Sequence, residues 1–149
     1  MNEIKKKQYQ ELKNNNYNCV IERKWKSNIL LQECLAVLGN NKNIISIEQQ
    51  QPILDDFNNI LPQIVKSNKR KKIQSIQELL PHWEKKSVYI IWDEDDLPIV
   101  QIDFKYIVDH IDDVSAVAFE AWIVAVEMNE FIQFDARNRI SEINLERDE

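Results

Sequence analysis

Apolar residues recur at helical spacing through the N-terminal half of the chain. The first set lies at i, i+3, i+4 and i+7 and comprises Leu31, Cys34, Leu35 and Leu38. Ser27 suits the N-cap position of this helix. Gly39, the one glycine in the sequence, follows the last apolar position, where a helix end often needs a residue with positive φ. The pattern therefore predicts a helix between Ser27 and Gly39.

Proline and apolar positions predict two more helices. Pro52 suits the first position of a helix, because an N–H group at that position has no hydrogen-bond partner within the helix and its absence costs nothing. The apolar stripe that follows comprises Ile53, Leu54, Phe57, Ile60 and Leu61. The face of the third helix comprises Ile73, Ile76, Leu80 and Trp83. Pro81 is expected to end or kink this third helix at about Leu80.

Short apolar runs predict the strands. We expect short strands at Tyr17–Trp25 and Asn43–Glu48, a basic loop at Lys66–Lys72, and a frayed helix or loose arm at residues 2–14. The apolar run Val88–Trp92 predicts a central strand that is buried on both faces.

Beyond this strand, the acidic turn Asp93–Asp96 leads to a second strand at Leu97–Ile102, in which Pro98 favours an edge position or a bulge. Asp103 can cap a short helix. A closing antiparallel meander is predicted at Ala121–Val126, Glu130–Phe134 and Ile140–Leu145. These elements indicate one α+β domain over residues 1–149, with N-terminal helices packed on one face of a mostly antiparallel sheet that the C-terminal half mainly forms.

Targeting signals are missing from the sequence as given. No stretch approaches the roughly 18 apolar residues of a membrane span, and the Lys-rich N-terminus has no apolar stretch behind it. The two cysteines, Cys19 and Cys34, form no CxxC pair and indicate no secreted disulfide framework. We therefore expect a cytoplasmic protein without membrane association, and its oligomeric state stays open.

Charge is distributed unevenly along the chain. Residues 1–86 carry 15 Lys and Arg against 9 Asp and Glu, a net +6, whereas residues 87–149 carry 4 against 16, a net −12. A surface that negative repels nucleic acid and attracts basic partners. Charge alone, however, leaves partner binding and plain solubility equally favoured.

Composition excludes several catalytic classes. A single glycine leaves no G-x-G-x-x-G or Walker phosphate loop and no G-x-S-x-G nucleophile elbow. His82 and His110 are far apart in sequence and show no zinc-binding spacing. Asp109 could orient the imidazole of His110 for acid–base work, but an exposed helix position is the simpler interpretation. We expect no metal, no cofactor and no catalytic residue.

Carboxylates are the remaining candidates for chemistry. The group comprises Asp93, Glu94, Asp95, Asp96, Asp103, Asp109, Asp112 and Asp113. Convergent oxygens of this kind could hold two metal ions, so a metal-dependent hydrolase is the alternative to a binding role. However, Lys105 is the one basic residue between Ser87 and Asn129, and a phosphate-handling site needs cations beside its acids.

Basic and aromatic residues add two further candidate sites. The basic stretches Lys5–Lys7 and Lys69–Lys72 lack interleaved aromatics that could stack on bases, so solvated loops are favoured over nucleic-acid sites. Trp92 and Trp122 lie close to acidic residues in predicted strands and could anchor a protein interface. Core packing is the better interpretation of each ring.

Five segments of the C-terminal half follow one another in a recognisable order: a strand that leads into an acidic turn, a Pro-containing strand, a short helix, an Ile/Val-x-Asp-Val stretch, and an apolar strand. They are Val88–Asp93, Leu97–Val100, Phe104–Ile107, Ile111–Val114 and Trp122–Val126. This succession, over roughly Ser87–Phe134, resembles the immunity proteins of bacterial contact-dependent growth inhibition systems.

The resemblance implies a cytoplasmic, non-enzymatic protein that binds a toxin's C-terminal domain delivered by a neighbouring cell. Such toxins are frequently nucleases, many of them acting on tRNA, and a nuclease site that holds phosphates is basic. An acidic inhibitor that occludes it agrees with the net −12 of residues 87–149. The predicted partner-facing residues are Asp93, Glu94, Asp95, Asp96, Asp109, Asp112, Asp113 and Glu120, with Trp92 or Trp122 as an anchor.

Overall fold

A seven-stranded antiparallel sheet forms the centre of the computed structural model, which describes residues 17–146. The strands are β1 (Asn43–Ile44), β2 (Arg70–Ile73), β3 (Ser87–Trp92), β4 (Val100–Asp103), β5 (Ala121–Ala125), β6 (Glu130–Phe134) and β7 (Ile140–Asn144). Their order across the sheet is β1-β4-β3-β5-β6-β7-β2, and each neighbouring pair is antiparallel.

Helices surround this sheet. They are α1 (residues 17–27), α2 (Ile29–Leu38), α3 (Ile47–Lys66), α4 (Leu80–Trp83) and α5 (Ile111–Ser115). Short 3-10 helices occur at Gly39–Asn41, Ile76–Leu79, Phe104–Tyr106 and Val108–His110. The predicted α+β class, with helices mainly in the N-terminal half and strands mainly in the C-terminal half, is confirmed. No helix within residues 17–146 is long and apolar enough to cross a membrane.

Side-chain alternation along β3 creates two cores, one on each face of the sheet. Val88, Ile90 and Trp92 belong to a core shared with α2, whereas Ile91 lies in a second core shared with α3. Burial on both faces explains why Val88–Trp92 of this strand is an uninterrupted apolar run, and the prediction of a central strand is confirmed. The expectation that helices cover one face is wrong, because the 20-residue α3 brings Phe57 onto the other.

The strand predicted at Tyr17–Trp25 is also wrong, because residues 17–27 are helical. Ile21 and Trp25 are four positions apart, which is a helical spacing, and both turn inward: Ile21 is buried and Trp25 packs against the core that contains α2. The predicted loose arm at residues 2–14 lies outside the described residues.

The boundaries of α2 are close to those predicted. Asn28, rather than Ser27, is the N-cap, and its Oδ1 accepts a hydrogen bond from the Leu31 N–H at 3.0 Å. Gly39 ends the helix with a φ of 66°, as its position in the sequence predicted.

The strand predicted at Asn43–Glu48 is reduced to β1, and α3 begins at Ile47. The side chain of Gln50 fixes this turn by donating to the carbonyl of Ile45 at 3.0 Å. Pro52 therefore lies inside the helix and not at its first position, and its missing N–H falls on an exposed part of the surface.

The basic loop predicted at Lys66–Lys72 becomes a strand in its second half. Arg70–Ile73 is the edge strand β2, which pairs with β7. Its basic side chains protect an edge that could otherwise pair with another chain. The predicted third helix is consequently short, since Ile73 is in β2, and Pro81 lies in the first turn of α4 and does not end it.

The closing meander is confirmed as β5, β6 and β7, whereas the strand predicted from Leu97 begins at Val100. Between β4 and β5 the chain crosses the face that also carries α2. Near the end of β4, Phe104 packs on Trp83 with ring centroids 5.6 Å apart. Near the end of β3, the carbonyl of Val114 accepts a hydrogen bond from Trp92 Nε1 at 2.9 Å. This crossing segment thus links the two ends of the sheet.

Candidate protein-binding surface

The turn after β3 meets the residue that precedes β5. Trp92 is paired with Ala121 in the antiparallel register, so the next residues outward are Asp93 and Glu120. These two exchange two hydrogen bonds of 3.2 Å: the Asp93 N–H donates to the Glu120 carbonyl, and the Glu120 N–H donates to Asp93 Oδ1. Strand pairing therefore brings together two predicted acids that are 27 residues apart.

Helix α5 adds two more acids at the same end of the sheet. Asp112 lines a surface recess with Phe134 and Ile140, where β6 ends and β7 begins. Asp113 faces α2, where burial and, to a smaller extent, the charge of Asp113 together raise the pKa of the Cys34 thiol to about 12. We call this surface the acidic end; it comprises Asp93, Glu94, Asp95, Asp96, Asp112, Asp113 and Glu120.

Most of the acidic end is open to solvent. Asp93, Glu94, Asp95 and Asp112 are exposed, and the other three acids are half-buried. Asp109, the remaining predicted acid, is exposed and lies in the 3-10 helix Val108–His110, immediately before α5. The structure therefore brings seven of the eight predicted acids to one end of the sheet.

Helix α1 contacts one edge of the acidic end. Trp25 Nε1 donates a hydrogen bond of 2.7 Å to the carbonyl of Asp96, and Lys24 Nζ lies 3.7 Å from Asp96 Oδ2. Water reaches both partners of this ion pair, whose side chains are 56% and 41% exposed, so the pair contributes little energy. Among residues 17–146, Asp96 is the one acid of the acidic end that forms a salt bridge, and the other six form none.

The two candidate tryptophan anchors are core residues. Trp92 is 5% exposed and donates its indole N–H to Val114, whereas Trp122 is 6% exposed and packs edge-on against Phe57 with centroids 5.5 Å apart. The core-packing interpretation describes both rings, and neither presents a surface that a partner could contact.

Phe119 is the exposed aromatic of this surface, and the sequence interpretation missed it. Its exposure is 79%, the largest among the exposed large hydrophobic residues of the described chain. It lies between α5 and β5, where neither helical nor strand periodicity assigns an inward direction. The signal available in the sequence was a large apolar residue outside any periodic element and next to Glu120.

A different group of charges lies at the opposite end of the sheet, around Glu130 at the start of β6. Its Oε1 is 2.6 Å from His82 Nε2 and accepts from Asn144 Nδ2 at 2.8 Å, and its Oε2 is 3.1 Å from Lys86 Nζ. Burial raises the pKa of Glu130, but the hydrogen bonds and charges of His82 and Lys86 outweigh burial and hold it below 4.5. Sequence patterns do not reveal this cluster, because Glu130 and Asn144 lie far along the chain from His82 and Lys86.

Within residues 17–146, no group of three or more His, Cys, Asp or Glu side chains converges as a metal site would require. The acids of the acidic end are adjacent on the surface but are not arranged around a common point.

Comparison with known proteins agrees with the succession of segments seen in the sequence. Residues 28–142 match the family model described as CdiI immunity protein EcoliA0-like. The match runs from the N-cap of α2 into β7, and it leaves out α1. No curated protein matches the chain. Because the matched region is well over half of the sequence and contains most of the sheet, the chain belongs to the family of CdiI immunity proteins.

Proposed function

We propose that the chain binds and neutralises a cognate contact-dependent growth inhibition toxin domain, and that the acidic end is the contact surface. The observation that carries the proposal is the gathering of seven acids on one end of the sheet in a member of an immunity protein family. Neutralisation by this route is stoichiometric and needs no catalytic residue.

Charge indicates the chemistry of the partner. Uncompensated, exposed carboxylates accelerate the encounter with a basic surface, and they repel nucleic acid. A nuclease carries such a basic surface because it holds phosphates. We therefore propose that the toxin is a nuclease, with tRNA as the substrate class that the family resemblance favours. The complex forms in the cytoplasm and covers the active site or the surface that binds the substrate.

Charge reversal at the acidic end tests this proposal. A triple variant with Glu94→Lys, Asp95→Lys and Asp112→Lys changes exposed side chains and leaves the bond between Asp93 and Glu120 intact. Association with the cognate toxin domain should slow at least about 10-fold at low salt. The dependence of that rate on salt should also become weaker. Stopped-flow or surface plasmon resonance measures both quantities.

A matched control distinguishes the effect of where the reversed acids lie from the effect of the change in net charge. Glu84, Asp56 and Glu127 are exposed acids away from the acidic end, and reversing all three to Lys changes the net charge by the same amount. Two of them line one recess at the turn between β5 and β6, at the opposite end of the sheet. This control should keep the wild-type association rate. Equal slowing by both variants would remove the acidic end from the interface, and growth protection by co-expression tests neutralisation itself.

A further inference from the structure

Phe119 has the features of an interface anchor. A phenyl ring that is 79% exposed leaves most of its apolar surface in water, where burial would be favourable. Large aromatic residues supply many of the hot spots of protein interfaces. Phe119 therefore offers a partner more apolar area than any other side chain near the acidic end.

The backbone on both sides of Phe119 is held in place. Val117 and Ala121 are buried at 6% and 1% exposure, and the hydrogen bonds between Asp93 and Glu120 fix the residue that follows the phenylalanine. On the other side, Trp92 fixes Val114. A residue presented on a segment that is already ordered loses little conformational entropy when it binds.

The surroundings of Phe119 define the surface it would fit. The next residue is Glu120, which is bonded to Asp93, so Phe119 is directly followed by a carboxylate of the acidic end that is tied to a second one. An apolar centre with a charged rim is the usual layout of a specific interface. The complementary surface is an apolar recess whose edge carries Lys or Arg side chains.

We propose that Phe119 is the anchor of the toxin complex and inserts into an apolar recess, bordered by basic side chains, on the toxin domain. This inference rests on the proposed function and deepens it. It assigns two roles to one surface: the acids set the rate of association, and the phenyl ring sets the lifetime of the complex.

Truncation of the ring tests the division of roles. Phe119→Ala should weaken binding of the toxin domain about 30-fold, as expected for a hot spot. Most of the loss should appear as faster dissociation, and the ratio of variant to wild-type affinity should not change with salt. Phe119→Leu, which keeps an apolar side chain, should give a smaller loss. Val65→Ala is the matched control, because Val65 is 64% exposed and lies near the C-terminal end of α3.

The outcomes separate the inference from the function on which it rests. If the wild-type chain binds the toxin domain and Phe119→Ala dissociates at the wild-type rate, the anchor is refuted and the proposed function stands. If the wild-type chain does not bind, the proposed function fails. A change in the oligomeric state of the free protein on Phe119→Ala, measured by light scattering, would assign the ring to a contact between copies and overturn the inference. Thermal unfolding of the variant should match wild type.

Discussion

The two ends of the sheet carry carboxylates in contrasting environments. At the acidic end, Glu94 and Asp95 are exposed and form no salt bridge within residues 17–146. At the opposite end, Glu130 is 4% exposed and is held by His82, Lys86 and Asn144. A buried carboxylate must be paired and hydrogen-bonded, whereas an exposed one is hydrated and acts at a distance.

This contrast separates stability from recognition. Glu130 contributes to the folded state because its partners replace the water that burial removes. The exposed acids contribute little to folding and are free to meet a partner. Substitution of an acid should therefore lower the unfolding free energy most where the carboxylate is buried and hydrogen-bonded. Substitution should change toxin binding most where the carboxylate is exposed at the acidic end.

The largest effect on stability is expected at Glu130. Glu130→Ala leaves three polar groups without their acceptor and should lower the free energy of unfolding by about 2 kcal/mol. Urea denaturation measures this value. Glu94→Ala is the control and should stay within about 0.5 kcal/mol of wild type. Equal losses of unfolding free energy on the two substitutions would contradict the contrast between the buried Glu130 and the exposed acids.

Asp135, in the turn between β6 and β7, should show an intermediate effect. Its Oδ1 accepts from the N–H groups of Arg137 and Arg139 at 2.9 and 3.0 Å, and its Oδ2 accepts from Arg139 Nε at 2.7 Å. Although burial opposes ionisation, these bonds hold the pKa of Asp135 below its usual value. Asp135→Ala should cost about 1 kcal/mol of unfolding free energy, and Asp135→Asn should restore part of it. A cost as large as that at Glu130 would show that burial is not the deciding factor.

The smallest expected effect concerns pH: the difference in unfolding free energy between wild type and Glu130→Gln should change as the solution is acidified. The pKa of Glu130 is lowered on folding, so the stability that it contributes is fully present above about pH 4.5 and is lost as pH falls through the folded value. The difference in unfolding free energy should therefore narrow between about pH 5 and pH 3. Denaturation at several pH values measures it. A difference that widens on acidification would mean that the lowered pKa is incorrect.

Strong periodic patterns predicted the central sheet well. Local residue patterns were enough to predict Val88–Trp92 and the three strands of the meander. Burial on one or both faces of a strand requires apolar residues at fixed positions, and these positions can be read from the sequence. Residues 17–27 were misassigned because a short mixed segment fits both helix and strand periods. Strand β2 was missed because it is an edge strand, whose basic side chains resemble those of a loop.

The proposed binding surface was predicted only in part, and its prediction rested on charge and not on periodicity. Charge counting selected the acids, but only strand pairing could place Glu120 beside Asp93. The predicted central strand already indicated that Trp92 is buried, but no period in the sequence could show that Phe119 points outward. The direction of a side chain outside a regular element depends on packing that the local sequence does not contain.

The position of β2 has a consequence for the order of folding. Arg70–Ile73 pairs with Ile140–Asn144, so this edge of the sheet cannot close until the chain has been made as far as β7. The central pairs of β3 with β4 and β5 are closer in sequence and can form earlier. Because pairings distant in sequence slow folding, β2 should dock last, and a newly made chain should acquire its acidic end before its basic edge.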